Sequence, residues 1–506
     1  MDMQTLLGYQ WSLMTPEFIV VIAAILLSIL DLLLKDSFNR QHFAYGAFGA
    51  SVLALVSLIL LYHQATADIL EGTFVLDGFA KAFKTLLLVG AALVFLLAAS
   101  GEKKTPIEDK GEYYYLLLTA LLGAMFMASS ADLITLFVGL ELLSLSSFIL
   151  VGIRKRSQAS NEAAMKYVIN GGISTAITLF GFSYLYGLTG STNIIAMREA
   201  LANLSDGSMH LLLAFAFLLT FVGLSFKLAT APFHMWAPDV YQGAATPVTA
   251  FLGTVSKLAG FVIMMRLFIM IFAVVPDVTG KQSLSASMQM YIAVLAAITM
   301  IVGNTIALKQ QNVKRLFAYS GIAHAGYLLV PLLMLSPFTL DSMWFYMLAY
   351  LLMNIGVFAI IHGLQRQAGS EGFELFAGLF QRSPFAAVAM TVFILSLAGI
   401  PGTAGFIGKV NIFIGAFVIE PGHYVLPSIM MATTVVSFVY YFRILQQMFF
   451  RKPESDQKLK IPFNVNIVIT LCAVLTLLFG ILPAVGYEFF YENFPLLKDF
   501  FFTGAE

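Results

Sequence analysis

Cysteine and charge are both scarce in this chain of 506 residues. Its one cysteine, Cys472, lies in an apolar run, which excludes an intramolecular disulfide and any zinc site or iron–sulfur cluster held by several cysteines. Charged residues make up 11% of the chain, against roughly 25% in soluble domains, and the net charge is zero. With a net charge of zero, the chain has no excess of positive charge that would favour binding to nucleic acid. These absences exclude a disulfide-stabilised domain and a nucleic-acid-binding protein.

Motifs for nucleotides and catalytic metals are also missing from the sequence. There is no GxGxxG and no HExxH pattern, and Gly408 and Lys409 are followed by Val410 rather than by the serine or threonine of a phosphate-binding loop. We therefore expect neither a cofactor nor a metal in this chain.

Apolar residues, in contrast, are abundant at 59%. Stretches of 17 or more predominantly apolar residues predict transmembrane helices, and the sequence contains fourteen of them. The predicted spans are residues 17–35, 42–62, 76–99, 112–130, 132–151, 165–187, 210–242, 246–272, 288–308, 315–335, 341–365, 384–419, 425–449 and 464–486. The predicted fold class is therefore an all-α polytopic membrane protein.

Lysine and arginine in the loops predict the orientation of the spans, because positive residues accumulate on the cytoplasmic side. Loops after odd-numbered spans contain 17 of these residues, whereas the other loops and the C-terminus contain three, Arg198, Lys281 and Lys498. This asymmetry predicts that the first set of loops is cytoplasmic and that both termini lie outside. The even number of spans agrees with this orientation.

Two of the spans are too long for one straight helix. Residues 210–242 number 33 and would extend about 50 Å, whereas a bilayer core is about 30 Å thick. Pro232 and Pro238 remove backbone donors within this segment, and Pro401 with four glycines interrupts residues 384–419. Non-helical backbone at membrane depth requires protein or a water-filled cavity around it. The pattern predicts two discontinuous helices, as in transporters that build ion sites from helix breaks.

The predicted breaks fall in the seventh and twelfth spans, five spans apart. A five-helix unit repeated in tandem inserts with opposite orientations because five is odd, so spans 4–8 and 9–13 are candidate inverted repeats. The predicted parts are an N-terminal three-helix segment (1–111), a first five-helix repeat (112–272), a second five-helix repeat (273–449), and a C-terminal loop with the last transmembrane helix (450–506).

Four ionisable residues, Glu141, Lys227, Lys257 and Lys409, are predicted to lie within the membrane. Each charge at a bilayer centre costs about 2.5–3.5 kcal/mol on insertion scales, so the four together cost roughly 10 kcal/mol unless they pair or meet water. Burial favours a neutral lysine and a nearby carboxylate favours a charged one, so moving a carboxylate can load or eject a proton. We predict a proton pathway with Glu141 and Lys227 as the switchable pair, Lys257 as the central relay and Lys409 as the terminal group. The structural alternative is a set of satisfied ion pairs that fix helix packing.

Two histidines and one acid–base pair have both functional and structural interpretations. His234, in TAPFHMW, and His324, in SGIAHAGY, could bridge lysines that are too far apart for direct proton transfer. Histidine titrates nearest to neutral pH, which favours this role, but a hydrogen-bonded structural histidine fits equally well. Glu162 and Lys166, four residues apart in NEAAMK, could belong to the pathway or form a simple i, i+4 pair at a helix start.

Four segments around these residues resemble segments of a known family. FKLATAPFHMWAPDVYQGAATPV, TVSKLAGF, KRLFAYSGIAHAGYL and LSLAGIPGTAGFIGK are similar to the antiporter-like membrane subunits of respiratory complex I, and the resemblance covers essentially the whole chain. It implies fourteen helices with inverted five-helix repeats and two discontinuous helices. It also implies that Glu141 and Lys227 match the family's glutamate–lysine pair, that Lys257 matches its central lysine, and that Lys409 matches the lysine of the second broken helix.

The resemblance further implies where the redox chemistry takes place. NADH, FMN, iron–sulfur clusters and quinone are expected in other subunits of the complex, where quinone reduction drives proton movement in this chain. The expected partners are the other membrane-arm subunits, including further antiporter-like subunits, and membrane lipids. The expected location is the inner (plasma) membrane of a bacterial cell, with both termini on the periplasmic side.

Three other interpretations stay open at this point. A subunit of an Mrp-type cation/proton antiporter would share the fold and the buried lysines, although the lysine of GFIGK and the absence of a long C-terminal extension favour complex I. A subunit of a ferredoxin- or hydrogenase-linked relative of complex I would differ only in its electron donor. A structural scaffold would use the same charges only to hold helices together.

Overall fold

A computed structural model describes residues 7–35, 37–101, 107, 110–202, 207–273, 283–334, 337–368, 371–418, 424–453 and 458–494. Within these residues, thirteen helices are long and apolar enough to cross a membrane, and two shorter apolar helices follow one another at Pro384–Ala398 and Ala404–Phe417. The two shorter helices together form a fourteenth, broken span. The prediction of about fourteen transmembrane helices is therefore confirmed.

The helices are numbered in chain order, and α10 includes two π-helical turns, at Leu252–Ser256 and Phe268–Phe272. They are α1 (Thr15–Leu33), α2 (His42–Leu60), α3 (Gly78–Ala98), α4 (Lys110–Ser129), α5 (Leu133–Val151), α6 (Gln158–Thr189), α7 (Ile194–Ala202), α8 (Gly207–Leu228), α9 (Trp236–Gly243), α10 (Thr246–Phe272), α11 (Leu284–Ala307), α12 (Val313–Met334), α13 (Pro337–Ala368), α14 (Leu379–Arg382), α15 (Pro384–Ala398), α16 (Ala404–Val418), α17 (Val425–Phe450), α18 (Phe463–Ile481) and α19 (Pro483–Asn493).

A short antiparallel hairpin, β1 (Ala67–Ile69) and β2 (Phe74–Leu76), precedes α3. Its turn residues 70–72 all have positive φ angles. The sequence analysis does not predict this hairpin, because strands of three residues are too short to show an alternation of polar and apolar residues. The hairpin delivers Asp77 to the N-terminus of α3, where its carboxylate accepts a hydrogen bond from the N–H of Ala80 at 2.7 Å.

Both predicted discontinuous helices are present. The seventh span consists of α8, which ends at Leu228, and α9, which begins at Trp236. The twelfth span consists of α15, which ends at Ala398, and α16, which begins at Ala404. The short helices α7, α14 and α19 lie outside the spans and are not predicted by the hydropathy pattern, because they are too short to cross a membrane.

The two sets of five spans show the same order of packing. α4 packs along α5 as α11 packs along α12, and α6 packs on the broken helix α8 as α13 packs on α15 and α16. This common order is expected of two copies of one five-helix unit. The boundaries of the four predicted parts, at residues 111, 272 and 449, stay a prediction.

The centre of the bundle consists of α3, α10, α12 and α13, which are enclosed along almost their whole length. The helices α1, α2, α6, α11, α17 and α18 instead expose wide apolar faces, which suit contact with lipid or with other membrane proteins. Lys257 lies on α10 and His324 on α12. The fold therefore places two of the predicted site residues on its most enclosed helices.

Candidate functional site

The first helix break is closed by side chains from the surrounding structure. α8 ends where Ala229 adopts a positive φ of 56°. The indole N–H of Trp236 donates to the carbonyl of Phe226 at 3.0 Å, and the N–H of Ala231 donates to the hydroxyl of Thr299 on α11 at 3.0 Å. These bonds satisfy backbone groups that the end of a helix leaves open, which is necessary at a depth where little water is present.

Lys227 lies in the last turn of α8, at the edge of this break. Its ammonium donates to the hydroxyl of Ser144 on α5 at 3.2 Å, and Lys227 is only 6% exposed. One turn before Ser144, Glu141 accepts a hydrogen bond from the hydroxyl of Thr175 on α6 at 2.8 Å. The Glu141 carboxylate is close enough to act electrostatically on Lys227, although no direct ion pair joins the two in the described part of the chain. The fold therefore brings the predicted pair together, with each partner held by a hydroxyl group.

A narrow cavity of about 10 Å³ lies beside this pair, between α5, α6 and α8. This is about the volume that one water molecule requires. The lining residues are Leu140, Ser144, Gly171, Ser174, Thr175, Thr178, Gly223, Leu224, Phe226 and Lys227. Its hydroxyl groups include those that bind Glu141 and Lys227, so the cavity offers a polar connection between the carboxylate and the ammonium.

Lys257 directly follows the π-helical turn Leu252–Ser256 of α10. Single π-helical turns within α-helices are frequent at functional sites. The buried ammonium of Lys257 donates to the carbonyl of Gly321 on α12 at 2.7 Å and lies 5.8 Å from the ring centre of Tyr350 on α13. A Cβ atom at position 321 would lie 3.0 Å from the ammonium nitrogen, so the absence of a side chain there leaves the space that Lys257 occupies.

His324 lies among tyrosine side chains in the centre of the second half. Its Nδ1 is 2.5 Å from the hydroxyl oxygen of Tyr346, and its Nε2 is 3.3 Å from that of Tyr441. The rings of Tyr327 and Tyr350 also pack against the imidazole, with ring centres 5.3 and 5.4 Å away. Lys257 and Lys409 are both close enough to act electrostatically on His324. His324 therefore lies within electrostatic range of both lysines.

Lys409 belongs to α16 but reaches back across the second break. Its ammonium donates at 2.7 Å to the carbonyl of Leu397, in the last turn of α15, and lies 5.1 Å from the ring centre of Tyr327. Gly399 follows α15 with a φ of 83°, and the hydroxyl of Ser396 accepts a hydrogen bond from the N–H of Gly405 at 3.0 Å. A cation at the C-terminus of a helix is favoured by the helix dipole. Lys409 thus acts as a cap of the half-helix that precedes it.

His234 is not joined to the lysines by any contact among the described residues. It lies between α8 and α9, and its ring is 6.3 Å from that of Tyr319, centre to centre. His234 is largely buried, and its Nδ1 has no hydrogen-bond partner within the described chain. The role of His234 as a bridge between lysines stays a prediction.

The predicted i, i+4 pair of Glu162 and Lys166 is present, with 2.7 Å between the charged atoms, and it belongs to a larger cluster. Lys166 also contacts the carboxylate of Asp239 on α9 at 2.6 Å, and Arg315 on α12 contacts the same carboxylate. The cluster therefore fastens the half-helix α9 to α6 and α12. The sequence shows the i, i+4 pair but not the two partners that come from other helices.

A second group of buried charges, not predicted from the sequence, lies near the N-terminal helices. Lys84 on α3 lies 2.5 Å from the carboxylate of Glu17 on α1, and both side chains are almost completely enclosed. Arg266 on α10 donates twice to the carboxylate of Asp77, at 2.9 Å each. The sequence does contain a signal for them, because Lys84 and Arg266 are charged residues within predicted spans. The four predicted site residues show the same signal.

No group of three or more histidine, cysteine, aspartate or glutamate side chains is arranged to hold a metal ion in the parts of the chain that the structure describes. The chemistry of the site rests on amines, carboxylates, hydroxyls and an imidazole. Each of these groups can exchange or relay a proton.

Comparison with known proteins shows the family of this chain. Residues 130–437 match the family described as NADH:quinone oxidoreductase/Mrp antiporter, TM. Over 504 residues, which are 100% of this chain and 99% of the relative, the sequence is 69% identical to NADH-quinone oxidoreductase subunit N of Bacillus anthracis. The chain belongs to the subunit N family of NADH-quinone oxidoreductases. The prediction of a complex I membrane subunit is therefore confirmed.

Solved structures agree with membership of the subunit N family. The chain is similar to one in respiratory complex I from Thermus thermophilus with bound aureothin, with a TM-score of 0.78 and 32% identity over 94% of this chain and 99% of that one. It also shares its fold with a chain of the Mrp complex from Dietzia sp. DQ12-45-1b, with a TM-score of 0.82 over 98% of both chains. The identity to the Mrp chain is 19%, so that likeness concerns the fold alone. The chain is an antiporter-like membrane subunit of NADH-quinone oxidoreductase.

Proposed function

We propose that this subunit N chain carries protons through the membrane arm, driven by quinone reduction in other subunits. The proposal rests on Lys227, Lys257 and Lys409, each almost fully buried and none in an ion pair with a carboxylate among the described residues. Burial favours the neutral amine, whereas hydroxyl and carbonyl acceptors stabilise the ammonium. A lysine that can exist in both forms can accept a proton and pass it on.

Each residue of the proposed pathway has one task. Glu141 and Lys227 form the switchable pair, in which approach of the carboxylate holds a proton on the amine and separation releases it. Lys257 is the central relay, and Lys409 is the terminal group of the second half. His324 links these two lysines, since both act on it electrostatically. His234 and the cluster around Glu162 and Lys166 are assigned to support of the first break and of α9.

The remaining components lie outside this chain in the proposal. NADH, FMN, iron–sulfur clusters and quinone belong to other subunits, and the other membrane-arm subunits, including further antiporter-like ones, are the partners. We infer a location in the bacterial inner membrane with both termini on the periplasmic side, from the 17 positive residues in one set of loops against three in the other.

The test compares Lys227→Ala with wild type in inverted membrane vesicles. NADH-driven acidification and NADH–quinone electron transfer are measured together, after a native gel has shown that the complex is assembled. We expect both activities to fall by roughly tenfold or more, as for loss of a positioned proton-transfer group. Lys309→Ala is the matched control, because Lys309 is an exposed lysine in the loop after α11, and both activities should be unchanged.

Other outcomes would favour other functions. Normal pumping and electron transfer in assembled Lys227→Ala complex would contradict the relay and favour a scaffold, in which the lysine affects assembly alone. If removal of the whole chain left NADH-driven pumping intact, the complex I function would be wrong. Sodium/proton exchange would then be measured, because the fold shared with the Mrp chain favours an antiporter as the second candidate.

A further inference from the structure

We propose that the hydroxyl groups of Tyr441 and Tyr346 carry protons into and out of His324, so that the two tyrosines are relay residues between Lys257 and Lys409. This inference rests on the proposed function, because it supplies the groups that connect two lysines of that pathway. It concerns residues on α17 and α13 that the sequence analysis does not select.

Direct hydrogen bonds connect four side chains in an unbroken row. The hydroxyl of Ser320 is 2.6 Å from the hydroxyl oxygen of Tyr441, which is 3.3 Å from Nε2 of His324. On the other side of the imidazole, Nδ1 is 2.5 Å from the hydroxyl oxygen of Tyr346. The row therefore runs from Ser320 through Tyr441 and His324 to Tyr346, and it joins α17, α12 and α13.

The two ends of the row approach the two lysines. Ser320 precedes Gly321, whose carbonyl accepts the hydrogen bond from the ammonium of Lys257. At the other end, Tyr346 packs on Gly408, the residue before Lys409, and a Cβ atom at position 408 would lie 3.1 Å from the Cα of Tyr346. Glycine at this position allows α16 to approach Tyr346 closely. Ser320 thus lies beside the hydrogen-bond partner of one lysine and Tyr346 beside the chain neighbour of the other, and no described hydrogen bond joins either hydroxyl to a lysine amine.

The row lies in a fully enclosed part of the bundle. Ser320, His324, Tyr346 and Tyr441 are each at most 1% exposed. The rings of Tyr327 and Tyr350 cover further parts of the imidazole. Where bulk water is excluded, transfer between the lysines requires fixed groups that both donate and accept a hydrogen bond. Serine, tyrosine and neutral histidine are such groups, whereas a lysine ammonium only donates.

The proton balance of one transfer is simple. Tyr441 gives its hydroxyl proton to Nε2 of His324, whose Nδ1 gives its proton to Tyr346, and Tyr346 gives its hydroxyl proton to the neutral amine of Lys409. Tyr441 regains a proton through Ser320 from the ammonium of Lys257. The net change is one proton moved from Lys257 to Lys409, with no change in oxidation state. Rotation of the hydroxyls and exchange of the imidazole tautomer restore the row.

The end steps differ from the middle of the row. No described hydrogen bond joins Lys257 to Ser320 or Tyr346 to Lys409. Each of these two transfers therefore requires a rotation of the lysine side chain or a bridging water molecule. The middle steps need neither, because the hydrogen bonds of the imidazole are already formed.

The experiment uses Tyr441→Phe and Tyr346→Phe in the assembled complex, because each change removes a hydroxyl and keeps the ring. Tyr167→Phe is the matched control, since Tyr167 is equally buried and its hydroxyl has no hydrogen-bond partner among the described residues. NADH-driven acidification and NADH–quinone electron transfer are measured in inverted vesicles, in H₂O and in D₂O. We expect losses of roughly tenfold or more in the first two variants, since positioned proton-transfer groups contribute typically about 100-fold or more. The control should stay within about twofold of wild type.

The solvent isotope effect separates a relay from a packing role. If the hydroxyls carry protons, the effect of D₂O on turnover should be larger in Tyr441→Phe and Tyr346→Phe than in wild type, because proton transfer then limits the rate. Equal losses in all three variants with an unchanged isotope effect would overturn the relay in favour of packing. Wild-type activity in both test variants, with Lys227→Ala inactive, would overturn the relay while leaving the proposed function intact. Wild-type activity in Lys227→Ala as well would contradict the proposed function itself.

Discussion

In the first half of the bundle Lys227 has a carboxylate within electrostatic range, whereas in the second half no carboxylate acts on Lys409 among the described residues. Lys227 lies in the last turn of α8, and the ammonium of Lys409 reaches the last turn of α15, so both are near the C-terminal end of a half-helix, where the helix dipole favours a cation. Their remaining partners differ. Lys227 is bound by a hydroxyl beside Glu141, while Lys409 is bound by a backbone carbonyl and lies over an aromatic ring. The proton affinity of Lys227 can change when one carboxylate moves, whereas Lys409 has no such counter-charge among the described residues.

The two helix breaks also differ in which residues satisfy their open backbone groups. The first is closed by Trp236 of its own second half and by Thr299 of α11, and a non-glycine residue, Ala229, has a positive φ. The second is closed by its own residues, with Gly399 in the left-handed region. The first break therefore depends in part on α11, whereas the described hydrogen bonds across the second come from its own residues.

The last helix of each five-helix set shows a third difference. α10 carries Arg266, which is buried and paired with Asp77 of the N-terminal segment. Its counterpart α17 carries Arg443, whose guanidinium lies 4.2 Å from the ring centre of Phe373 and donates to Gln311 at the surface. The N-terminal helices thus fasten the helix of Lys257, and no corresponding buried pair fastens α17 in the described chain.

The largest expected effect is that of Arg266→Met. Removing one partner of a buried ion pair leaves Asp77 unpaired, and we expect a loss of stability of about 3–5 kcal/mol. The measurement is the fraction of this chain retained in the complex on a native gel after heating. Arg443→Met on α17 is the matched control, with an expected loss below about 1 kcal/mol because its partners are at the surface.

A double variant tests the cause of that loss. Asp77→Asn with Arg266→Met removes both charges and keeps a side chain that can cap α3. We expect most of the stability to return, since the penalty comes from a single uncompensated charge. Equal losses in the single and double variants would contradict this explanation.

The next largest effect is that of Glu141→Gln, which makes the first half resemble the second. Glutamine keeps an acceptor for Thr175 but removes the counter-charge of Lys227. We expect NADH-driven acidification in assembled complex to fall by roughly tenfold. Thr175→Val, which removes only the hydrogen bond, should cost about 0.5–1.5 kcal/mol, or about two- to tenfold. Unchanged pumping in Glu141→Gln would show that the difference between the halves has no functional consequence.

The smallest effects come from exchanging the residues with positive φ at the two breaks. Gly399→Ala should destabilise the chain by about 1–2 kcal/mol, because a side chain is strained in the left-handed region, and its Cβ would lie 3.1 Å from the side chain of Lys409. Ala229→Gly should stabilise it by up to about 1 kcal/mol for the same reason. Thermal release of the chain from the purified complex measures both. We expect Gly399→Ala to lower the release temperature and Ala229→Gly to raise it. Changes in the same direction would contradict the comparison of the two breaks.

The spans, the two breaks and the four principal charges are all visible in the amino-acid sequence. These features are local: a span is a run of apolar residues of sufficient length, and a break follows from prolines and glycines within a span that is too long. Glu141, Lys227, Lys257 and Lys409 are visible as charges inside such runs. The hairpin and the short helices α7, α14 and α19 escaped prediction because they are too short to produce a hydropathy signal.

Which residues meet, in contrast, depends on how the helices pack. Lys257 binds Gly321, 64 residues along the chain, and His324 contacts Tyr441, 117 residues along. The buried pairs of Lys84 and Arg266 also join separate helices. Hydropathy shows that a helix is buried but not which face of it meets which neighbour, since inside a membrane nearly every face is apolar and the packing of small residues and hydrogen bonds determines the contacts.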